Sequence, residues 1–312
     1  MNKRIDNIIS PAIAKKTAPI VLFTYNRPEH TRLTVEALKA NKYASESDLI
    51  VFSDGHKNDR DKAKVDEVRA YLKTITGFQS YKIIERKKNI GLAANIIDGV
   101  TQMVNEYGKI IVLEDDLITS PYFLQYMNEG LDLYEKEEDV ISIHGYMYPV
   151  RKKLPETFFI KGADCWGWGT WRRGWDIFKA DGQELLKELE TRKLQREFDY
   201  NGSYPYTKML KKTIKGEIGS WAIRWYASAF LNNKLTLYPG RSLVFHNGSD
   251  GSGINCSENS IYDVKLSLEP VNVSSIKIEE SNPAKKNMIH HFRYRMKYIK
   301  IKSVIRNFFN RK

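Results

Sequence analysis

Three carboxylates stand side by side at Glu114-Asp115-Asp116, directly after the apolar run Lys109-Ile-Ile-Val-Leu113. Adjacent like charges repel, so the triplet is costly unless a cation or solvent relieves it. A hard divalent ion, Mn2+ or Mg2+, takes one or two carboxylates and completes its shell with phosphate oxygens and water. The structural alternative is a helix N-terminus: Asp115 or Asp116 would cap a helix starting near Pro121 and complement its dipole. Three other polar clusters follow apolar runs in the same way: Thr24-Tyr25-Asn26-Arg27, Ser53-Asp54-Gly55 and Arg86 to Gly91.

The elements that must position these groups are legible. Ile20 to Thr24 is a continuous apolar run, as expected for a parallel strand buried on both faces. Strands are predicted over Leu49–Ser53, Tyr81–Glu85 and Lys109–Leu113, with helices over Pro28–Asn41, Asp59–Ile75 and Ile90–Tyr107 between them. Such alternation implies βαβ units and an open, mostly parallel sheet flanked by helices. Ligands bind beyond the carboxyl ends of the strands in such sheets, and all four polar clusters lie there. That placement favours the metal–phosphate reading of the triplet over the cap. Further on, a helix is expected from Pro121 to about Lys136, strands at Val140–Ile143 and Ser242–Phe245, and turns at Tyr238–Gly240 and Asp250–Gly253. All six tryptophans fall between Trp166 and Trp225, and the Gly- and Trp-rich stretch from Gly162 to Gly174 reads as a loop-rich wall.

Composition sets the outer bounds. With 42% hydrophobic and 28% charged residues in 312, the chain is neither disordered nor fibrous. Two cysteines, Cys165 and Cys256, make no disulfide framework and no metal-site spacing, so buried thiols in a reduced compartment are expected. The +12 charge is unevenly placed: ten of the 50 Lys and Arg residues lie in Lys285–Lys312, which has no acid. The preceding 284 residues hold 40 bases against 38 acids. Met288, Ile289, Phe292, Met296 and Ile299 form one helical stripe among those bases, the pattern of a helix lying on an anionic membrane surface. The competing reading is a helix packed on its own domain. No nucleic-acid partner is expected, since no RNA-recognition motif accompanies the charge. The expected location is cytoplasmic, peripheral on the inner face of the membrane.

Four motifs in order carry a resemblance. Leu113-Glu-Asp-Asp-Leu-Ile-Thr-Ser-Pro-Tyr-Phe resembles the metal-binding segment of GT-A fold glycosyltransferases, closest to the N-acetylglucosaminyltransferase I family. Pro19-Ile-Val-Leu-Phe-Thr-Tyr-Asn-Arg-Pro looks like the nucleotide-binding first strand of that fold and of the family 2 transferases. Ser53-Asp54-Gly55 and Asn89-Ile-Gly-Leu-Ala-Ala-Asn95 match in place and order. The resemblance spans about Pro19 to Cys256. It implies an N-terminal segment (1–18), a GT-A domain (19–260, with a nucleotide-sugar half 19–118 and an acceptor half 119–260) and an extension (261–312) bearing the basic helix.

The resemblance further implies a metal-dependent transfer of a sugar from a nucleotide-diphosphate donor, with UDP favoured, to a hydroxyl of a cell-envelope or capsular glycan, lipid-linked or free, with inversion. Thr24, Tyr25, Asn26 and Arg27 would border the nucleotide, Asp54 its base or ribose, and Lys88, Asn89 and Gly91 the sugar-nucleotide loop. Glu114 and Asp115 would lie by the ribose or donor sugar, and Asp116 would hold the metal, with His246 as a further ligand. An inverting transferase needs a general base. The family's carboxylate lies in a Trp-acid-acid-Trp segment, whereas this chain has Trp221-Ala-Ile-Arg-Trp225 with no acid inside it. Glu217 is the first choice, with Asp164 and Asp250 as rivals. Trp166, Trp168 and Trp221 are the candidates to stack on sugar rings, the remaining tryptophans being core. The competing functions are a sugar-nucleotide pyrophosphorylase, whose glycine-rich first loop is missing here, and a non-catalytic carbohydrate-binding module.

Overall fold

In the computed structural model, which describes residues 16–248 and 262–309, strand and helix alternate through the first half. The elements are β1 (Ile20–Thr24), α1 (Pro28–Lys39), β2 (Asp48–Ser53), α2 (Asp59–Leu72), β3 (Ser80–Glu85), α3 (Leu92–Tyr107) and β4 (Lys109–Glu114). Local chemistry explains the boundaries. Pro28 opens α1, where its missing N–H is no loss. The Asn58 side chain caps α2 by accepting from the backbone N–H groups of Arg60 and Asp61. Gly91 enters α3 at φ +81°, a conformation that favours glycine.

Both faces of this sheet are covered, which is why its strands read as unbroken apolar runs. Ile20 and Leu22 of β1, with Leu49 and Val51 of β2, pack beside Val35 and Leu38 of α1 and Val68 and Leu72 of α2. The alternate residues Val21, Phe23, Ile50 and Phe52 face the opposite way, onto Ile96, Val100, Met103 and Val104 of α3.

The second half adds β5 (Leu117–Thr119), α4 (Phe123–Leu133), β6 (Val140–His144), β7 (Thr157–Lys161), β8 (Trp168–Trp171), α5 (Arg172–Trp175) and α6 (Gly182–Thr191). It continues through α7 (Gln195–Phe198), α8 (Tyr206–Ile214), α9 (Ala222–Leu231), β9 (Leu235–Pro239), β10 (Val244–His246) and α10 (Asn282–Phe309). Eight strands form one sheet in the order β3-β2-β1-β4-β8-β6-β9-β7. β3, β2, β1 and β4 are mutually parallel, β8 runs antiparallel between β4 and β6, and β7 is antiparallel to β9. β5 and β10 form a separate antiparallel pair with His246 opposite Leu117.

β8 corrects the expectation of a loop-rich wall. Trp-Gly-Thr-Trp is a wholly buried strand in the middle of the sheet. Gly169 permits this, because a Cβ there would lie 3.1 Å from the Ile110 carbonyl oxygen and 3.0 Å from the Met127 side chain. Trp168 itself is fully buried among Trp175, Trp221 and Trp225, with ring centroids 5.5 to 5.8 Å away, so it is a core residue and not a sugar platform.

The start of α10 also departs from the membrane-facing expectation. Ala284, Met288, Ile289 and Phe292 are buried against the protein's own body, and the Phe292 ring meets Tyr148, Tyr200 and Tyr204 at 5.1 to 5.2 Å. This part of the stripe is therefore unavailable to a bilayer, because the core already covers it. Phe292→Ala is expected to cost about 3–5 kcal/mol of unfolding free energy, as for other buried Phe truncations. Urea denaturation of the full chain measures it, and a change under 1 kcal/mol would mean that the helix is not part of the core. Among the described residues no helix is long and apolar enough to cross a membrane.

Candidate active site

Beyond the carboxyl ends of β1, β2 and β4 opens a cavity of about 1120 Å³. It reaches from Thr24–Arg27, Asp54 and Asn89–Asn95, past Glu114–Asp116 and His246, to a tyrosine-rich end around Asp164.

Its first wall is built by backbone-to-carboxylate contacts. Asp54, buried at the end of β2, accepts from the N–H groups of Gly55 (2.9 Å) and Ile90 (3.0 Å) through Oδ1. Through Oδ2 it accepts from Asn89 Nδ2 (3.1 Å) and the Gly91 N–H (3.0 Å). Four donors occupy both oxygens, so Asp54 holds the 89–91 loop against the strand end instead of presenting a free carboxylate to a base or ribose. Gly55 is required beneath that loop, since a Cβ would stand 2.5 Å from the Lys88 carbonyl carbon. The Lys88 side chain is exposed and does not line the cavity, whereas Asn89 and Gly91 do.

Tyr25 and Asn26 are fixed by a residue the sequence did not single out. Asp61 on α2 accepts from the Tyr25 hydroxyl and from Asn26 Nδ2, both at 3.0 Å. Arg69 on the same helix donates to the backbone carbonyls of Ser53, Asp54 and Arg86, tying together the ends of β2 and β3. Both lie on a heavily charged helix, where their types alone look like solvated surface.

The carboxylate triplet is the electrostatic centre. Arg27 Nη1 donates to Asp116 Oδ2 at 2.8 Å and lies 3.6 Å from Asp115 Oδ1. His246 Nε2 stands 3.4 Å from Asp116 Oδ2, brought there by the β5–β10 pairing. Burial pushes the Glu114 carboxyl well above the usual range, and the neighbouring Asp116 and Asp115 charges push it further. Burial and then the Asp116 charge also raise Asp115, against the pull of Arg27. For Asp116 burial acts upward too, but His246 and Arg27 outweigh it and hold this carboxyl low. Of the three, Asp116 is the carboxyl held most strongly in its charged form, at the cavity wall.

Gly248 shapes that spot. A Cβ there would sit 2.4 Å from Asp116 Oδ2 and 3.0 Å from Arg27 Nη2. Gly248→Ala is expected to displace the Asp116 carboxylate and lower turnover about 100-fold, as for a misplacement of roughly 1 Å in a reacting site. Steady-state kinetics check this, and wild-type rates in the alanine variant would refute the tight fit.

At the other end, Asp164 accepts from the Tyr148 hydroxyl (2.7 Å) and the Tyr238 hydroxyl (3.3 Å) through Oδ2, and from the Cys165 N–H (2.9 Å) through Oδ1. Tyr200, Tyr204, Tyr206, Tyr226 and Tyr262 continue this wall. Trp166 is half-buried beside it and stacks on His246 at 4.4 Å, while Trp221 lines the cavity near Glu114.

The chain matches the model of the family described as glycosyl transferase family 2 over residues 20–179. It belongs to glycosyl transferase family 2. The family is one of glycosyl transferases, and the open, mostly parallel sheet at this end of the chain agrees with the expected GT-A fold. Of the two families its motifs resemble, the match is to family 2.

Solved structures similar to this family 2 chain include a mannosyltransferase, PcManGT, from Pyrobaculum calidifontis in complex with GDP-Man and Mn2+ (10% identity over 55% of this chain and 47% of that one, TM-score 0.33). Staphylococcus aureus TarS, residues 1–349, is 12% identical over 74% of this chain and 60% of that one, with TM-score 0.42. Mouse xyloside xylosyltransferase 1 in its apo form is 14% identical over 42% and 55%, with TM-score 0.28. The family 2 chain thus spans less than two thirds of each of these chains. No curated protein matches it.

The cavity of this family 2 chain brings together Thr24, Tyr25, Asn26, Arg27, Asp54, Asn89, Gly91, the Glu114–Asp116 triplet, Asp164, Trp166, Trp221 and His246. Glu217 is not among its lining residues: its carboxylate is half-exposed and lies 3.9 Å from Lys212. The reason is local, since Glu217 follows Gly216 in the turn after α8, and it is the next residues, Ile218 to Ser220, that reach the cavity. Asp250 and Cys256 lie outside the described residues. Cys165 is half-buried on the cavity wall, more accessible than expected.

Proposed function

We propose that the chain transfers a sugar from a nucleoside-diphosphate donor, UDP-linked by resemblance, to a hydroxyl of a cell-envelope or capsular glycan, free or lipid-linked, with inversion. One observation carries this reading: a single cavity joins an anion-and-cation cluster (Asp116, Arg27, His246) to a tyrosine-lined acid (Asp164). In this reading Thr24–Arg27 and Asn89–Gly91 border the nucleotide, and Arg27 meets diphosphate charge. Trp166 and the tyrosines offer aromatic faces to the acceptor sugar, and Asp164 takes over from Glu217 as the general base.

Mn2+ or Mg2+ fits the donor end. Among the described residues no three His, Cys, Asp or Glu side chains converge as a full cage. The Asp116–His246 pair offers two protein ligands, which suits an ion whose shell diphosphate oxygens and water complete. Bound there, the ion would supply positive charge to the departing diphosphate. The remaining chemistry falls to the chain. Asp164, held by two tyrosine hydroxyls, accepts the proton of the attacking hydroxyl, while Tyr148 and Tyr238 keep its carboxylate aimed into the cavity.

Exposed bases such as Arg293 and Lys297, on the part of α10 facing away from the core, support peripheral attachment to an anionic membrane surface. The donor reading is tested by calorimetric titration of UDP, GDP and TDP with and without Mn2+. Metal-enhanced binding of one nucleotide is expected, and absence of binding by all three would overturn the reading.

A further inference from the structure

The cavity holds a cation that neither the donor chemistry nor the sequence motifs use. Arg295 lies on the buried face of α10 that Ala284, Met288 and Phe292 define, and is itself 5% exposed. Three apolar side chains seat the helix, and the fourth position of the stripe, one turn on, is an arginine lining the cavity. Its guanidinium lies 3.5 Å from the Tyr262 ring centroid and 5.4 Å from that of Tyr204. Among the described residues its Nε and Nη1 have no hydrogen-bond partner. The Tyr262 and Tyr204 faces and a hydrogen bond to the Tyr262 hydroxyl offset part of the cost of burying this cation, yet Nε and Nη1 stay unmade, and buried donors without partners are disfavoured. Two partly buried cations of the cavity each face a carboxylate instead: Arg27 meets Asp116, and Lys161 meets Glu197.

Its position separates it from the donor diphosphate. Tyr262 stands edge-on to Trp166 at 5.0 Å, and Trp166 stacks on His246, so aromatic rings lie between Arg295 and Asp116. Towards the acid, the link is short. Tyr148 packs on Phe292 and donates to Asp164, and Arg295 and Asp164 both act electrostatically on Tyr146.

We propose that Arg295 binds an anionic group, phosphate or carboxylate, on the acceptor, so that the acceptor is a charged sugar recognised beside the hydroxyl it presents to Asp164. The planar guanidinium suits both anions, which share a pair of acceptor oxygens at matching separation. This deepens the transferase reading by naming the acceptor's chemistry, and rests on its division of the cavity into donor and acceptor ends.

Ligand-observed NMR titration of the full chain tests it, with methyl β-glucoside as the neutral probe, methyl β-glucuronide as the carboxylate and glucose 1-phosphate as the phosphate. The wild type should bind at least one charged probe about tenfold more tightly than the neutral one, the stronger arm naming the anion. Arg295→Met should bring the preference to within about twofold while leaving neutral-probe binding unchanged, and Arg295→Lys, which keeps the charge but not the fork, should retain only part of it. Equal binding of all probes by the wild type, or a preference that survives Arg295→Met, overturns the proposal. A melting curve for each variant identifies a methionine variant that fails to fold. In that case the lysine variant decides: a retained preference supports charge recognition, and its loss in a folded protein overturns it. Nucleoside-diphosphate binding with Mn2+, measured on the same samples, fails separately if the donor reading is wrong.

Discussion

Asp116→Asn is expected to reduce nucleoside-diphosphate release by about 10²–10³-fold or more while the chain stays folded. Asparagine keeps the shape of the side chain and removes the charge that faces both Arg27 at 2.8 Å and His246 at 3.4 Å. Removing one partner of a buried ion pair typically costs about 3–5 kcal/mol. Here the structure supplies a substitute. Asp115 Oδ1 already lies 3.6 Å from Arg27, and its carboxyl is held high in part by the Asp116 charge. Once that charge is gone, Asp115 ionises more readily and takes over Arg27, so the stability loss should fall below the usual range. Activity has no such substitute, because Asp115 is buried and turned towards the Tyr25 N–H. Kinetics and a melting curve on one sample separate the two effects, and a variant that turns over normally would remove Asp116 from the mechanism.

Asp164→Asn is expected to lower kcat by about 10²–10⁴-fold, the usual contribution of a positioned general base, with nucleotide affinity unchanged. The amide remains a partner for the Tyr148 and Tyr238 hydroxyls, so the tyrosine wall should keep its arrangement, but it takes up no proton at neutral pH. The separation of effects matters more than the size of either. Asp54 and the 89–91 loop line the opposite end of the cavity, which the proposed function gives to the nucleotide, so a loss of nucleotide binding on altering Asp164 would contradict the division into donor and acceptor ends. Wild-type turnover in the asparagine variant would place the base elsewhere.

The donor half was readable because its physics is local. A strand buried on both faces is an apolar run, and the residues after it are polar because they meet a ligand edge; Ile20–Thr24 and Lys109–Glu114 announce themselves in this way. His246 was singled out through the family resemblance, and the pairing of β10 with β5 that carries it to Asp116 is a long-range contact no local pattern encodes. The acceptor half depends on such contacts throughout. Trp168-Gly-Thr-Trp171 looks like a loop because glycine interrupts residues that otherwise favour strands, and only the close approach of Ile110 and Met127 explains the glycine. Glu217 and Asp164 are indistinguishable as residue types, and only the path of the chain after Gly216 turns one out and leaves the other in. Arg295 was hidden by its company: in a run of ten bases it reads as one more solvated charge, whereas the stripe of Ala284, Met288 and Phe292 carries it inward. Among the described bases of that run, Arg293 and Lys297 are exposed, whereas Arg295 is buried in the cavity.

The central claim is that this cavity splits a nucleotide sugar at Asp116. The direct measurement is nucleoside-diphosphate release from a panel of UDP-, GDP- and TDP-sugars with Mn2+, with and without EDTA. Release from at least one donor that EDTA abolishes and Asp116→Asn suppresses is the predicted result. No release from any donor, or release that ignores both the chelator and the substitution, would contradict it.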